Sequence, residues 1–364
     1  MKKWVKNLYK IYLAAFVTIL ACLILEVFLM ADQLDVDGLF RNMTFVTASY
    51  SQWSETLFAD NVIWSLTLIR SLFFDSFKKV LLFGILLLHA FMLWGEKSSE
   101  QREFIATLPA RKYDREIVRV IMDIVLVIST SAIAALTCYL YINHMFMQRD
   151  MEIAWLGSSI FGLAVTTICY VIVLVGFVHF IEALVVRGDM KIIVSIACII
   201  MLHLTMENLF YLAQYDSDNI LIKIYGFMNL CTVGGGYYAD NQWEHKPLDI
   251  YVTYKGESGA VFGNYSDLSQ LVDMSNVGSY IWYAMAYLLI GATLLGLAIC
   301  LVKRQELSRS RFYFRGGTTL VGLLISITCF SFGVMFSPAL WNTILLAITA
   351  VMIFVGFVYI VDRH

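Results

Sequence analysis

Apolar runs of about twenty residues recur along this sequence, and each is long enough to cross a bilayer as a helix. The first, residues 11–30, follows four lysines and contains Glu26 near its end. Its length and its lack of a small-residue cleavage pattern indicate a retained anchor rather than a signal peptide. Of the 364 residues, 60% are hydrophobic and 15% are charged, and the mean hydropathy is +0.73. One soluble core would not use so much apolar surface, so the sequence predicts an all-α polytopic membrane protein.

We expect about eight transmembrane helices, with a six-span permease core in residues 1–315 and a C-terminal two-span hairpin in residues 316–364. On this assignment both termini lie on one side of the membrane, together with most of the 26 Lys and Arg residues. The positive-inside rule then places both termini in the cytoplasm. We expect the chain to lie in the plasma membrane of a bacterium. The predicted spans are residues 11–30, 73–94, 117–141, 155–181, 192–212, 280–302, 318–336 and 340–360.

A polar, acidic loop over residues 213–278 lies on the extracellular side in this topology. A loop of this length inside a compact protein is rarely structureless. Aromatic and polar residues alternate around Asp249 to Tyr254, which is typical of a short strand or hairpin. We therefore expect a small folded extracellular cap.

A charged segment from Glu96 to Arg119 separates the second and third spans. Ser98 and Gln101 form a capping-box pattern, and Pro109 ends any helix that begins there, so the pattern predicts a helix over residues 98–108. Its apolar and charged residues fall on different sides, and it is too short to be stable alone. It is interpreted as a docking helix for another protein. The alternative is an interfacial helix whose apolar residues dip into the inner headgroups.

Sequence motifs for catalysis are absent: there is no phosphate-binding loop, dinucleotide fingerprint, H-E-x-x-H pattern, paired CxxC or nucleophile elbow. The six histidines are scattered, and a lone histidine in a span, such as His89, is interpreted as a packing residue rather than a ligand. We therefore predict no catalytic, cofactor-binding or metal site in this chain. The net charge of −2 also gives no indication of nucleic-acid binding.

Two pairs of ionisable residues lie four apart within predicted spans. His203 and Glu207 share one face of the fifth span, and such residues at membrane depth are candidates for a proton-coupled carrier. The plainer interpretation places them at the polar interface. Arg119 and Asp123 are interpreted as an ion pair at the start of the third span.

The charged segment resembles the permease subunits of type-2 ATP-binding-cassette (ABC) exporters, in which an acidic residue follows span two and a leucine-proline-x-arginine turn precedes span three. The matching residues are Glu96 and the run from Thr107 to Arg111, and a second similarity is the basic-acidic run Lys303-Arg304-Gln305-Glu306. Two features depart from the family: Ser98 and Ser99 stand where a glycine is common, and the C-terminal hairpin lies beyond the six-span core.

The resemblance implies that helix 98–108 is a coupling helix, which docks on a separate nucleotide-binding subunit that holds the ATP. The implied docking residues are Glu96, Arg102, Glu103, Phe104, Leu108, Pro109 and Arg111. A second cytoplasmic contact would involve Lys303, Arg304 and Glu306.

The resulting expectation is the transmembrane subunit of an ATP-driven ABC transporter, without an ATPase site of its own. It would export or extract a hydrophobic or amphipathic compound such as a peptide, an antibiotic or a lipid-like molecule. Its partners would be the ATPase subunit, membrane lipid and a second permease, identical or homologous. Because no polar file of side chains is visible within one chain, we expect the path to lie between two permeases, near spans one, two and five. The alternatives are a sensor or scaffold that binds a ligand through its extracellular loop, and an ion-coupled secondary carrier.

Overall fold

The computed structural model describes residues 2–33, 68–95, 112–148, 151–152, 156–184, 246–254, 257–263 and 277–307, together with residues 195, 196 and 199. Within these residues the chain forms long helices and a small antiparallel sheet. The helices are α1 (Lys2–Gln33), α2 (Lys78–Gly95), α3 (Lys112–Met147), α4 (Leu156–Leu184) and α5 (Val277–Leu307). The strands are β1 (Met151–Glu152), β2 (Lys246–Tyr254) and β3 (Glu257–Gly263).

Four of the described helices are long and apolar enough to cross a membrane, which confirms the predicted helical character and is consistent with a membrane protein. They coincide with the predicted spans one, three, four and six. Spans seven and eight, the coupling helix 98–108 and all of span five except residues 195, 196 and 199 lie outside the described residues, so the count of eight stays a prediction. The four apolar segments are Leu8–Ala31, Tyr113–Met147, Leu156–Leu184 and Ile281–Lys303.

The predicted second span corresponds to α2 and to the π-helical turn Leu72–Phe77 that leads into it. A π-turn widens the helix and takes its carbonyls out of the regular ladder. Here the hydroxyl of Thr167 in α4 donates a hydrogen bond to the carbonyl oxygen of Phe73 at 3.3 Å. This contact ties the turn to α4, and the phenyl rings of Phe73 and Phe77 pack together in the core, 4.8 Å apart.

Helix α4 lies at the centre of the described bundle. It is apolar around most of its circumference, which is typical of a helix surrounded by other helices. In its most apolar stretch, 67% of the residues are buried. Helices α1 and α3 run parallel to each other, while α2, α4 and α5 run in the opposite direction. The directions follow from contacts between Tyr12 and Asp123, Phe28 and Tyr141, Lys78 and Tyr170, His89 and Glu182, Glu116 and His179, and Tyr170 and Tyr287.

Two glycines allow α4 and α5 to approach closely. A Cβ atom on Gly176 would lie 3.0 Å from the carbonyl oxygen of Gly291. A Cβ atom on Gly291 would lie 2.9 Å from a methyl carbon of Ile172 and 3.2 Å from the backbone nitrogen of Val173. Small residues at a crossing let two backbones pack directly, which is a main source of helix association in membranes.

The sheet has the order β1-β2-β3, with both pairs antiparallel. Met151 pairs with Tyr254, and Lys246 pairs with Gly263, with a register irregularity between Pro247 and Tyr251. The hairpin predicted around Asp249 to Tyr254 is therefore confirmed. Because β1 lies between the end of α3 and the start of α4, the hairpin is held at that end of the bundle. The rest of the predicted cap lies outside the described residues.

The glycine crossing gives a stability prediction. We expect Gly291→Ala to destabilise the protein by about 1–3 kcal/mol, because the new methyl group meets the backbone of α4. Gly296→Ala, on the same helix, is the matched control, since nothing lies within 4 Å of its added Cβ. It should be neutral or stabilising by up to about 1 kcal/mol, the helix-propensity difference between Gly and Ala. Thermal unfolding of the detergent-solubilised protein measures both, and equal effects would contradict the close crossing.

Candidate functional site

Five ionisable side chains from three helices meet inside the bundle and form what we call the histidine–carboxylate cluster. α3 places Glu116 and Asp123 seven residues apart, and α4 places His179 and Glu182 three apart, so each pair shares one helix face. His89 comes from α2. Ionisable residues within membrane helices are costly and therefore mark functional sites by default.

Asp123 is the centre of the cluster and is fully buried. Its Oδ1 atom accepts a hydrogen bond from the hydroxyl of Tyr12 in α1 at 2.7 Å. Its Oδ2 atom lies 3.0 Å from Nε2 of His89 and 2.8 Å from Nε2 of His179. One carboxylate oxygen thus faces a ring nitrogen of each histidine.

The second nitrogen of each imidazole faces a different carboxylate. Nδ1 of His89 lies 2.8 Å from Oε1 of Glu182, and Nδ1 of His179 lies 2.8 Å from Oε1 of Glu116. The two rings lie edge to face, with their centroids 5.0 Å apart. Each histidine is therefore held between two carboxylates, and its ring orientation is fixed from both sides.

When both rings are neutral, the named side chains of the cluster carry more negative than positive charge. Three carboxylates carry three negative charges, and the guanidinium of Arg119, 3.9 Å from Glu116, supplies one positive charge. Buried negative charge that lacks a positive partner costs several kcal/mol. Positive charge on or between the imidazole rings would therefore stabilise the cluster.

The cluster lies nearer one end of the bundle than the other. His89 is six residues before the end of α2, a distance of about 9 Å along the helix. His179 is five residues before the end of α4, about 8 Å, and Asp123 is eleven residues after the start of α3, about 16 Å. At this same end, the ammonium group of Lys303 lies 5.8 Å from the centre of the Tyr113 ring. It is the end that the sequence predicts to be cytoplasmic.

Most of the predicted site residues lie outside the described residues. These are the coupling-helix residues Glu96, Arg102, Glu103, Phe104, Leu108, Pro109 and Arg111, and the pair His203 and Glu207. Lys303 is described at the end of α5, and Arg304 and Glu306 follow within the same helix. The docking role of these residues stays a prediction.

The histidine–carboxylate cluster corrects three expectations. His89 is hydrogen-bonded at both nitrogens, but it is not isolated, because its ring packs against His179. Asp123 was interpreted as the partner of Arg119 in an ion pair at the start of a span. The structure instead shows contacts between Asp123 and residues of three other helices. The interior of a single chain also carries the polar side chains that we did not expect there. The signal in the sequence was the presence of Asp123, His179 and Glu182 within apolar runs.

Comparison with other proteins adds no assignment. No family model, no curated protein and no solved structure matches this chain.

The geometry predicts an order of stability losses. We expect Asp123→Ala to cost about 3–5 kcal/mol, because it leaves buried partners on three helices uncompensated. Tyr12→Phe removes one hydrogen bond to a charged acceptor and should cost about 1.5–3 kcal/mol. Asp75→Ala is the control, since the side chain of Asp75 is 56% exposed and its ion pair with Lys78 is worth less than about 1 kcal/mol. Thermal unfolding in detergent gives the ranking, and equal losses for Asp123→Ala and Asp75→Ala would contradict the central role of Asp123.

Proposed function

We propose that this chain is a membrane transport protein in which the histidine–carboxylate cluster binds the cation that is carried or that drives transport. This is the ion-coupled carrier considered from the sequence, with its site at other residues. The observation that supports it is the approach of Nε2 of His89 and Nε2 of His179 to the same oxygen of Asp123, at 3.0 and 2.8 Å.

The hydrogen bonds support positive charge at this point. An ionised carboxylate only accepts hydrogen bonds. With Glu182 and Glu116 ionised, Nδ1 of each ring carries the proton, and Nε2 of each neutral ring presents a lone pair. Two lone pairs would then face the Oδ2 atom of Asp123, which is itself negative. Positive charge between these three atoms removes the repulsion.

The position of the cluster suits transport. Its side chains come from α2, α3 and α4, with Tyr12 of α1 in contact, so helices of both directions share one site. Ion sites of membrane carriers lie between helices in this way, and their ionisable residues line the ion pathway. A shift of one helix relative to the others would change the set of atoms that faces the ion. Such a change is needed if the ion is to bind from one side of the membrane and leave to the other.

Flux measurements on the purified protein in lipid vesicles test this proposal. Indicator dyes inside the vesicles would follow protons, sodium ions and divalent metal ions separately. We expect flux of at least one cation to exceed that of protein-free vesicles and to fall about tenfold or more in Asp123→Asn, because a neutral amide no longer compensates the ion's charge.

The control is Asp75→Asn, which makes the same chemical change at an exposed position and should retain the wild-type flux. Size-exclusion chromatography shows that each variant is folded before it is used. Wild-type protein without cation flux, or equal flux in folded Asp123→Asn and wild type, would refute the proposal.

A second candidate is the transmembrane subunit of an ATP-driven exporter, as the resemblance implies. One structural observation favours it. α2 ends at Gly95 and α3 begins at Lys112, and these helices are neighbours joined by the contact between His89 and Asp123. The charged segment between them therefore connects two packed helices at one end of the bundle, where a coupling helix would meet a cytoplasmic ATPase.

Substitution of two apolar residues in this segment tests the exporter candidate. Phe104→Asp combined with Leu108→Asp should release a co-purifying ATPase while the chain stays in the membrane, since each buried apolar anchor is worth about 1.5–3 kcal/mol. Glu100→Gln, in the same segment, is the control and should retain the partner. The measurement is the ratio of the two subunits after affinity purification from membranes. An unchanged ratio in the double variant would exclude docking through these residues.

A further inference from the structure

We infer that the histidine–carboxylate cluster is a binding site for one divalent transition-metal ion, best suited to Zn²⁺. The ligand atoms are Nε2 of His89, Nε2 of His179 and Oδ2 of Asp123. This inference rests on the proposed function, because both place a cation in the cluster, and it names the chemical class of that cation.

The ligand atoms are suited to this class of metal. Two imidazole nitrogens and one carboxylate oxygen form a set typical of zinc and its neighbours. Magnesium and calcium prefer six or more oxygen ligands, which these three residues do not offer. The three ligand atoms lie within 4.8 Å of one another, and all three side chains are buried.

Two of the three distances between ligand atoms are close to those that a metal ion would impose. A tetrahedral zinc ion with bonds of about 2.0–2.1 Å holds neighbouring ligand atoms about 3.3 Å apart. The Oδ2 atom of Asp123 lies 3.0 and 2.8 Å from the two Nε2 atoms. Binding would therefore require these contacts to open by about 0.3–0.5 Å, within the reach of small side-chain rotations.

The glutamates provide a second, independent observation. Metal-binding histidines almost always donate their other N–H group to a carboxylate or carbonyl, which fixes the tautomer and strengthens the ligand. Glu182 contacts Nδ1 of His89 and Glu116 contacts Nδ1 of His179, both at 2.8 Å. Both rings therefore direct the Nε2 lone pair to the same point, where Asp123 supplies an oxygen.

Charge and coordination number support a divalent, exchangeable ion. A divalent ion beside Asp123, with Glu116 and Glu182 close to the two rings, compensates more of this buried negative charge than a monovalent ion does. Three protein ligands also leave one tetrahedral position open. Open positions are typical of sites that exchange ligands, while structural zinc sites are closed by four protein ligands. An exchangeable ion is what a transport protein requires.

Titration of the purified, chelator-treated protein with Co²⁺ tests this inference, because tetrahedral Co²⁺ absorbs visible light intensely and reports its ligands. We expect one ion per chain with a tetrahedral spectrum, and displacement of Co²⁺ by Zn²⁺. Asp123→Asn and His179→Ala should lose this stoichiometric binding. Glu182→Gln leaves all three ligands in place and should weaken affinity by about 10–100-fold with the spectrum retained.

The matched control is His144→Ala, which removes an exposed histidine from α3, the helix that carries Asp123. Its binding and spectrum should equal those of the wild type. A wild-type protein that binds no Co²⁺ or Zn²⁺ above the level of the folded Asp123→Asn variant would overturn the inference. An octahedral spectrum that survives His179→Ala would do the same.

The vesicle and titration experiments separate failure of this inference from failure of the proposed function. Flux of protons or sodium that depends on Asp123, in a protein that binds no transition metal, would overturn the metal site and retain the transport function. Stoichiometric metal binding without flux of any cation would support the metal site and refute the transport function. Zinc flux that is lost in both Asp123→Asn and His179→Ala supports both.

Discussion

The carboxylate of Asp123 is buried among apolar helices, and an uncompensated charge in such a place costs several kcal/mol. Polar groups on three neighbouring helices contact this carboxylate and offset the cost. α1 provides the hydroxyl of Tyr12, α2 provides His89, and α4 provides His179. Helices that could pack in many orientations by apolar contact alone are thus held in one register by hydrogen bonds to a single side chain.

The central position of α4 follows from the same requirement. Its apolar circumference allows it to be surrounded, and the close crossing at Gly176 and Gly291 fixes it against α5. With α4 fixed, His179 and Glu182 face α3 and α2 at a defined depth. Apolar packing therefore holds the side chains of the cluster in position. Hydrogen bonds between those side chains in turn favour this packing arrangement over others.

The histidine–carboxylate cluster lies near the ends of α2 and α3 that the charged segment joins. His89 is six residues from the end of α2, and the segment over residues 96–111 begins immediately after that end. A force applied to this segment by a bound partner would reach the site through less than two turns of helix. The ion-binding and partner-docking proposals therefore concern the same helix ends, α2 and α3, and they are compatible in one protein.

The amino-acid sequence by itself determined the class of this protein and the places of its helices. Apolar runs of bilayer length are a local property, and the helices found at residues 8–31, 113–147, 156–184 and 281–303 agree with four of the predicted spans. The hairpin at β2 and β3 was likewise visible as alternation. Only the tertiary structure decided that His89, Asp123 and His179 form one site. Their separations along the chain carry no periodic signal, because contact between them depends on the order, direction and depth of three packed helices. For the same reason, the sequence showed that ionisable residues lay within the predicted spans, while only the structure showed that His89, Asp123 and His179 lie together.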